Sequence, residues 1–142
     1  MKSKVNKVLE SFNGGFYCSQ AMLSTYCEGF ELDKETALKI SCGMAAGMAR
    51  LSSTCGAVTG AYMVISLKHG NFVQGDKESI EKTFALIQEF DKRFVEKHGS
   101  TNCRELLGVD LRYGDKDLAS QRVKAHCSGF VKDAAEILEA VL

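Results

Sequence analysis

The chain of 142 residues contains no proline. Proline ends helices sharply, because it lacks a backbone N–H and its ring clashes with the preceding turn. Breaks must therefore come from glycine, asparagine and hydroxyl residues, and long helices are favoured. Apolar residues recur at helical spacing, and the one extended-looking stretch, Val109 to Tyr113, cannot form a sheet alone. The sequence predicts an all-α fold, a compact single-domain bundle of five to seven helices over residues 1–142.

Capping residues and glycines mark the ends of the predicted helices. Asp33 is a predicted N-cap, because its carboxylate can accept a hydrogen bond from the amide of Thr36. The fifth helix is predicted to bury one apolar stripe, composed of Ile80, Phe84, Ile87, Phe90 and Phe94. The predicted helical regions are 3–12, 16–28, a third after Asp33, 53–69, 76–98, a short turn between Asn102 and Gly108, and 117–142 with a kink near Ser128 and Gly129.

Charge and hydropathy exclude several classes of protein. Eighteen acidic and eighteen basic residues give zero net charge, which disfavours nucleic acid as a partner. No apolar run approaches the roughly 18 residues of a membrane span, and the amino terminus lacks the apolar core of a signal peptide. We expect a cytoplasmic protein with no membrane span.

Six cysteines are unusual in such a protein, because the cytosol keeps thiols reduced and a structural disulfide framework is not expected there. Packing accounts for two of them. Cys27 falls in an apolar stretch with Leu23, and Cys42 lies beside Ile40, so both are predicted to be small core residues.

Three other cysteines fall at predicted helix starts, where free backbone amides and the helix dipole favour a thiolate. With Ser53 or Thr54 as the N-cap, Cys55 lies in the first turn of the fourth helix. Cys103 follows the predicted Asn102 cap, and Arg104 adds a positive charge. Cys18 follows the break at Gly14 and Gly15.

Two glycines in the fourth helix need a reason, because glycine in a helix costs about 1 kcal/mol relative to alanine. Gly56 and Gly60 leave one helix face nearly bare, and Gly43 and Gly47 repeat their spacing on the preceding segment. The bare face predicts either tight packing between the third and fourth helices or a floor for a cofactor or substrate.

The motif Cys55-Gly56-Ala57-Val58-Thr59-Gly60 resembles the signature of the C_GCAxxG_C_C family, which is described as redox-active. Further similar segments follow in the family's order: CSQAM from Cys18, GMAAGMARL from Gly43, CRELLG from Cys103, and a late cysteine, Cys127. The resemblance covers nearly the whole chain. It implies that Cys18, Cys55, Cys103 and Cys127 are the family's characteristic four, with Cys27 and Cys42 as extras.

Three functions are compatible with these four cysteines. The first is thiol–disulfide chemistry, with Cys55 as the nucleophile and Cys103 as the second activated thiol. The second is an iron–sulfur or zinc site with the same four cysteines as ligands, although no closely spaced ligand pair is present. The third is a helical scaffold that docks on a redox partner or transporter, which we would favour if the cysteines lay in separate apolar pockets.

Other chemistry is disfavoured. No CxxCH motif is present, so covalent c-type haem is not expected. His69 and His98 are predicted to lie at helix ends or on the surface, and His126 is the histidine nearest a candidate cysteine. Asp115 and Asp117 are predicted to form a turn and cap, and not a metal site.

Overall fold

A computed structural model describes residues 2–142 of the chain. Within them, the all-α prediction is confirmed: there are seven right-handed α-helices and one short 3-10 helix. The α-helices are α1 (Val5–Asn13), α2 (Cys18–Tyr26), α3 (Lys34–Cys42), α4 (Gly56–His69), α5 (Lys77–His98), α6 (Cys103–Leu107) and α7 (Lys116–Val141), and the 3-10 helix is Cys27–Phe30.

Side-chain caps begin four of these helices. Asp33 accepts a hydrogen bond from the Thr36 amide at 2.9 Å, as predicted. Asp76, Asn102 and Asp115 accept equivalent bonds at the starts of α5, α6 and α7. Each satisfies an amide that the helix itself leaves unpaired. The predicted caps therefore fix where most of the long elements begin.

The core forms around α4, which packs against α2, α5 and α7. Its side chains Val58, Val64 and Ile65 are fully buried, together with Phe90 and Phe94 from α5. Burial of such side chains contributes about 1.5–3 kcal/mol each. A smaller apolar cluster lies between α6 and the first half of α7. No helix within residues 2–142 is long and apolar enough to cross a membrane.

Two predicted core positions are wrong. Cys42 is exposed because α3 turns Ala37 and Ser41 towards the core, which leaves the neighbouring Cys42 facing outward. Phe84 is 54% exposed because the buried face of α5 passes through Thr83 and Phe90 instead. Cys27, by contrast, is fully buried, as predicted.

The bare face of α4 packs against α2, and not against α3 as the tight-packing interpretation expected. A Cβ atom on Gly60 would lie 2.7 Å from the Cβ of Met22 and 3.1 Å from the carbonyl oxygen of Ser19. Gly43 has no neighbour that a Cβ would meet. Gly60 therefore allows α2 and α4 to approach closely, whereas Gly43 has no such packing role.

A left-handed turn follows α3 in the segment that leads to α4. Ala46, Gly47 and Met48 have φ values of 57°, 67° and 67°, and Ala49 and Arg50 continue with positive φ. A left-handed conformation costs roughly 1–2 kcal/mol for each residue other than glycine. Hydrogen bonds hold the turn, among them Ser53 N–H to Gly47 O at 2.8 Å. The surrounding structure thus maintains a strained segment beside the predicted cysteine site.

Candidate functional site

The four cysteines that the family resemblance singled out line one cavity of about 80 Å³. All six cysteines of the chain are free thiols, and Cys27 and Cys42 do not line this cavity. Gly56 does line it, whereas Gly60 does not. The remaining wall is apolar and includes Phe12, Tyr17, Leu106, Leu107, Leu111, Val123, Phe130 and Val131.

An isolated antiparallel bridge brings Cys55 and Cys103 together. Thr54 pairs with Asn102, and the two flanking hydrogen bonds are both donated by the cysteines. Cys55 N–H donates to Thr101 O at 2.8 Å, and Cys103 N–H donates to Ser53 O at 2.6 Å. Successive side chains of an extended backbone point to opposite faces. Cys55 and Cys103, which directly follow Thr54 and Asn102, therefore both point to the face opposite the side chains of Thr54 and Asn102. The bridge thus directs both thiols into the cavity.

Cys18 is the first residue of α2, and its sulfur contacts the start of α4. A Cβ placed on Gly56 would overlap the Cys18 Sγ, and it would lie 3.3 Å from both Met44 O and Ser19 N. Only glycine leaves room for this sulfur against the α4 backbone. This contact explains the glycine that follows Cys55 in the family motif.

The other two thiols are positioned by the left-handed turn and by α7. A Cβ on Gly47 would lie 2.7 Å from the Cys103 Cβ and 3.1 Å from its Sγ. Cys127 is half-buried on α7, on the helix face that also carries Val123 and Val131, four residues to either side.

The predicted thiolate at Cys55 is not supported. Cys55 is the N-cap of α4 rather than a residue of its first turn. Burial raises the pKa of Cys55 strongly, the neighbouring Cys18 raises it further, and the backbone amides of Ala57 and Val58 offset only part of this. Since the low dielectric of the interior penalises the charged form, Cys55 stays a protonated thiol near neutral pH.

The prediction that Arg104 activates Cys103 is also not supported. The Arg104 side chain is exposed and lies 3.9 Å from the carboxylate of Asp110. Burial raises the pKa of Cys103 to about 11, and Cys18 adds to the increase. Burial likewise raises the pKa of Cys127 to about 12, with contributions from Cys18 and Cys103.

Four backbone amides favour the thiolate of Cys18, compared with two for Cys55. Burial raises the pKa of Cys18, but the N–H groups of Ala46, Ser19, Gly56 and Cys18 itself act in the opposite direction. These amides come from the left-handed turn and from the starts of two helices, both of which concentrate unpaired donors. The residues Cys18 and Cys127 are half-buried and Cys55 and Cys103 are buried, but burial of the Cys18 thiol is still the largest influence on its pKa and leaves that pKa raised.

Cys18 also interacts electrostatically with each of the other three cavity thiols. A charge on Cys18 raises the pKa of Cys55, of Cys103 and of Cys127. Such effects require short separations. Cys18 is therefore the one cavity thiol that affects the pKa of all three others.

No charged side chain is found among the residues that line the cavity. Across residues 2–142, no group of three or more Cys, His, Asp or Glu side chains is arranged to hold a metal ion. His69 and His98 are the last residues of α4 and α5, as predicted for helix-end histidines, and His126 is exposed on α7. Backbone amides are thus the groups that favour a thiolate at Cys18.

Sequence reasoning missed the contribution of the left-handed turn. Ala46 supplies an amide to Cys18, and Gly47 makes room for Cys103. Of the residues in the turn, only Gly47 is of a type that favours positive φ, so the sequence gives little sign of this conformation.

Comparison with known proteins agrees with the motif. Residues 16–141 match the family described as "Putative redox-active protein (C_GCAxxG_C_C)". No similar protein was found among curated proteins, and no similar chain was found among solved structures.

Proposed function

Because the chain belongs to the C_GCAxxG_C_C family of redox-active proteins, we propose that it acts by thiol–disulfide exchange between Cys18 and Cys55. The observation that carries this proposal is the shared cavity, which all four family cysteines line. The scaffold alternative expected these cysteines in separate apolar pockets, and that arrangement is not the one observed.

Cys18 is the proposed nucleophile in place of Cys55. A thiolate is the reactive form of cysteine, and four backbone amides favour the thiolate of Cys18, against two for Cys55. Cys55 is the proposed resolving thiol, because it immediately precedes Gly56, against which the Cys18 sulfur lies. Its raised pKa suits a thiol that reacts second, after the mixed disulfide has formed beside it.

The proposed reaction oxidises the protein with a disulfide. The Cys18 thiolate attacks one sulfur of the substrate RSSR, the substrate S–S bond breaks, and the first RS⁻ leaves. Cys55 then attacks the Cys18 sulfur, and its proton passes to the departing group. The second half of the substrate leaves as RSH while the Cys18–Cys55 disulfide forms. Two electrons pass to the substrate, and an external dithiol returns the protein to its reduced state.

Thiol counting tests this proposal. A parent protein with Cys27→Ala and Cys42→Ser retains only the four cavity cysteines. After treatment with 2-hydroxyethyl disulfide, we expect it to lose two thiols and to carry no adduct, which indicates an internal disulfide. Adding Cys18→Ser to this parent should abolish the loss of the thiol pair. Retention of all four thiols in the parent would refute the proposal.

The metal alternative predicts a different result from the same protein. Four thiolates could bind zinc or an iron–sulfur cluster, since both accept soft sulfur ligands. Elemental analysis and a visible spectrum of anaerobically purified protein separate the two proposals. Stoichiometric zinc or iron that protects all four thiols from alkylation would favour the metal site over dithiol exchange.

A further inference from the structure

The size and lining of the cysteine cavity restrict what can react inside it. A volume of about 80 Å³ is near half that of an engineered apolar cavity, roughly 150 Å³, that binds benzene. There is room for only a few heavy atoms. The apolar wall offers no charged partner to a substrate with carboxylate or ammonium groups, and burying such a group unpaired is costly. A group attached to Cys18 inside the cavity must therefore be small and carry no carboxylate or ammonium group.

Sulfur bound to sulfur meets these requirements. It is small, soft and polarizable, and it reacts with thiolates by the same exchange chemistry as a disulfide. Adding one sulfur to a cysteine gives a persulfide, a reversible modification of reactive thiols. One extra sulfur atom on Cys18 fits within the space that Cys55, Cys103 and Cys127 surround.

We propose that Cys18 accepts a sulfane sulfur from inorganic polysulfide, that the cavity holds the resulting persulfide, and that Cys55 releases the added sulfur as sulfide. The inference rests on the proposed exchange between Cys18 and Cys55 and names its substrate class. The backbone amides of Ala46 and Gly56, which face the Cys18 sulfur, would stabilise negative charge on the persulfide.

The chemistry balances for hydrogen disulfide, HSSH, the smallest such donor. The Cys18 thiolate attacks one sulfur of HSSH, the S–S bond breaks, HS⁻ leaves, and Cys18–S–SH forms. Cys55 attacks the Cys18 Sγ, and its proton passes to the departing sulfur. The bond from Sγ to the added sulfur breaks, H₂S leaves, and the Cys18–Cys55 disulfide remains. The donor sulfur gains the two electrons that the thiols lose.

The persulfide can be trapped by removing the resolving thiol. We would add Cys55→Ser to the Cys27→Ala/Cys42→Ser parent, treat the reduced protein with sodium polysulfide without oxygen, and block it with iodoacetamide. After digestion with trypsin, peptide 8–34 carries Cys18 as its one cysteine, because Cys27 has been replaced. We expect mass spectrometry to show that this peptide has gained the mass of one sulfur. The parent with Cys55 intact should instead form the Cys18–Cys55 disulfide and release sulfide.

A control that keeps every cavity thiol tests the role of the cavity itself. Val123 is half-buried and lines the cavity four residues before Cys127. Val123→Phe in the Cys55→Ser protein should narrow the cavity and reduce sulfur loading on Cys18 at least tenfold. Circular dichroism confirms that each variant is folded. Equal loading with and without Val123→Phe, or no added sulfur on Cys18, would overturn the inference.

A second reagent distinguishes the failure of this inference from the failure of the proposed function. If 2-hydroxyethyl disulfide produces the Cys18–Cys55 link in the parent but polysulfide does not load Cys18, the persulfide inference is wrong and dithiol exchange stands. If neither reagent reacts at Cys18, both proposals are wrong.

Discussion

The contact between Gly56 and Cys18 predicts that Gly56→Ala destabilises the protein. The new methyl group would overlap the Cys18 sulfur, and the backbone atoms Met44 O and Ser19 N, both at 3.3 Å, leave little room to shift. Overpacking of this kind costs about 1–3 kcal/mol. Alanine is a better helix former than glycine by at most about 1 kcal/mol. Because backbone atoms oppose the shift, we place the overpacking cost at the upper end, about 2–3 kcal/mol, and expect a net loss of about 1–2 kcal/mol in the free energy of unfolding.

Gly129 provides the matched control. It lies inside α7, and a Cβ there would meet no atom within 4 Å. Gly129→Ala should gain helix propensity without a clash and stabilise the protein by up to about 1 kcal/mol. The two Gly→Ala substitutions should thus change stability in opposite directions.

Urea unfolding followed by circular dichroism measures both variants. A domain of this size is expected to unfold in one transition, so a change in midpoint at constant slope reports a change in stability. If Gly56→Ala unfolds at the same or higher urea concentration than the wild type, the close approach of Cys18 to α4 is wrong.

Two further predictions concern a hydrogen bond and thiol reactivity. Burial would raise the pKa of Glu139, but hydrogen bonds from the Tyr26 hydroxyl and the Lys4 amide lower it below 4.5. The ionised Glu139 therefore stabilises the folded protein at neutral pH, and this stabilisation is lost as the pH falls through the lowered pKa. Tyr26→Phe should lower the free energy of unfolding by about 1–3 kcal/mol and weaken its dependence on acid pH. Urea unfolding from pH 7 to pH 3 measures both effects, and an unchanged pH profile would contradict the hydrogen bond between Tyr26 and Glu139. At pH 8, iodoacetamide should label exposed Cys42 before Cys103, whose pKa is raised to about 11, and mass spectrometry showing the reverse order would contradict the burial of Cys103.

Local sequence signals were sufficient to predict most helix boundaries. Asp33 and Asn102 cap their helices through bonds to residues three positions later, so the pattern lies within a few residues of sequence. The all-α fold follows from the same short-range periodicity. The grouping of the four cysteines came from the family resemblance, because no two of them are close in sequence.

Long-range contacts explain what the sequence could not predict. Cys55 lies at a helix start, as local reasoning expected, but the bridge from Thr54 to Asn102 buries it, and burial outweighs the helix amides. The left-handed turn at Ala46 depends on contacts of Gly47 with Cys103 and with Ser53. Cys103 is far away in sequence, and nothing in the local sequence indicates the bond to Ser53. The backbone amide that Ala46 offers to Cys18 is recognised only when that turn is placed beside it.

Peptide mapping of the oxidised protein tests the central claim most directly. In the Cys27→Ala/Cys42→Ser parent, trypsin places each cavity cysteine on a different peptide, and these are 8–34, 51–68, 98–104 and 125–132. After mild oxidation at controlled potential, we predict a crosslink between peptides 8–34 and 51–68, which joins Cys18 to Cys55. Crosslinks only between separate molecules, or a dominant link that excludes Cys18, would contradict the account.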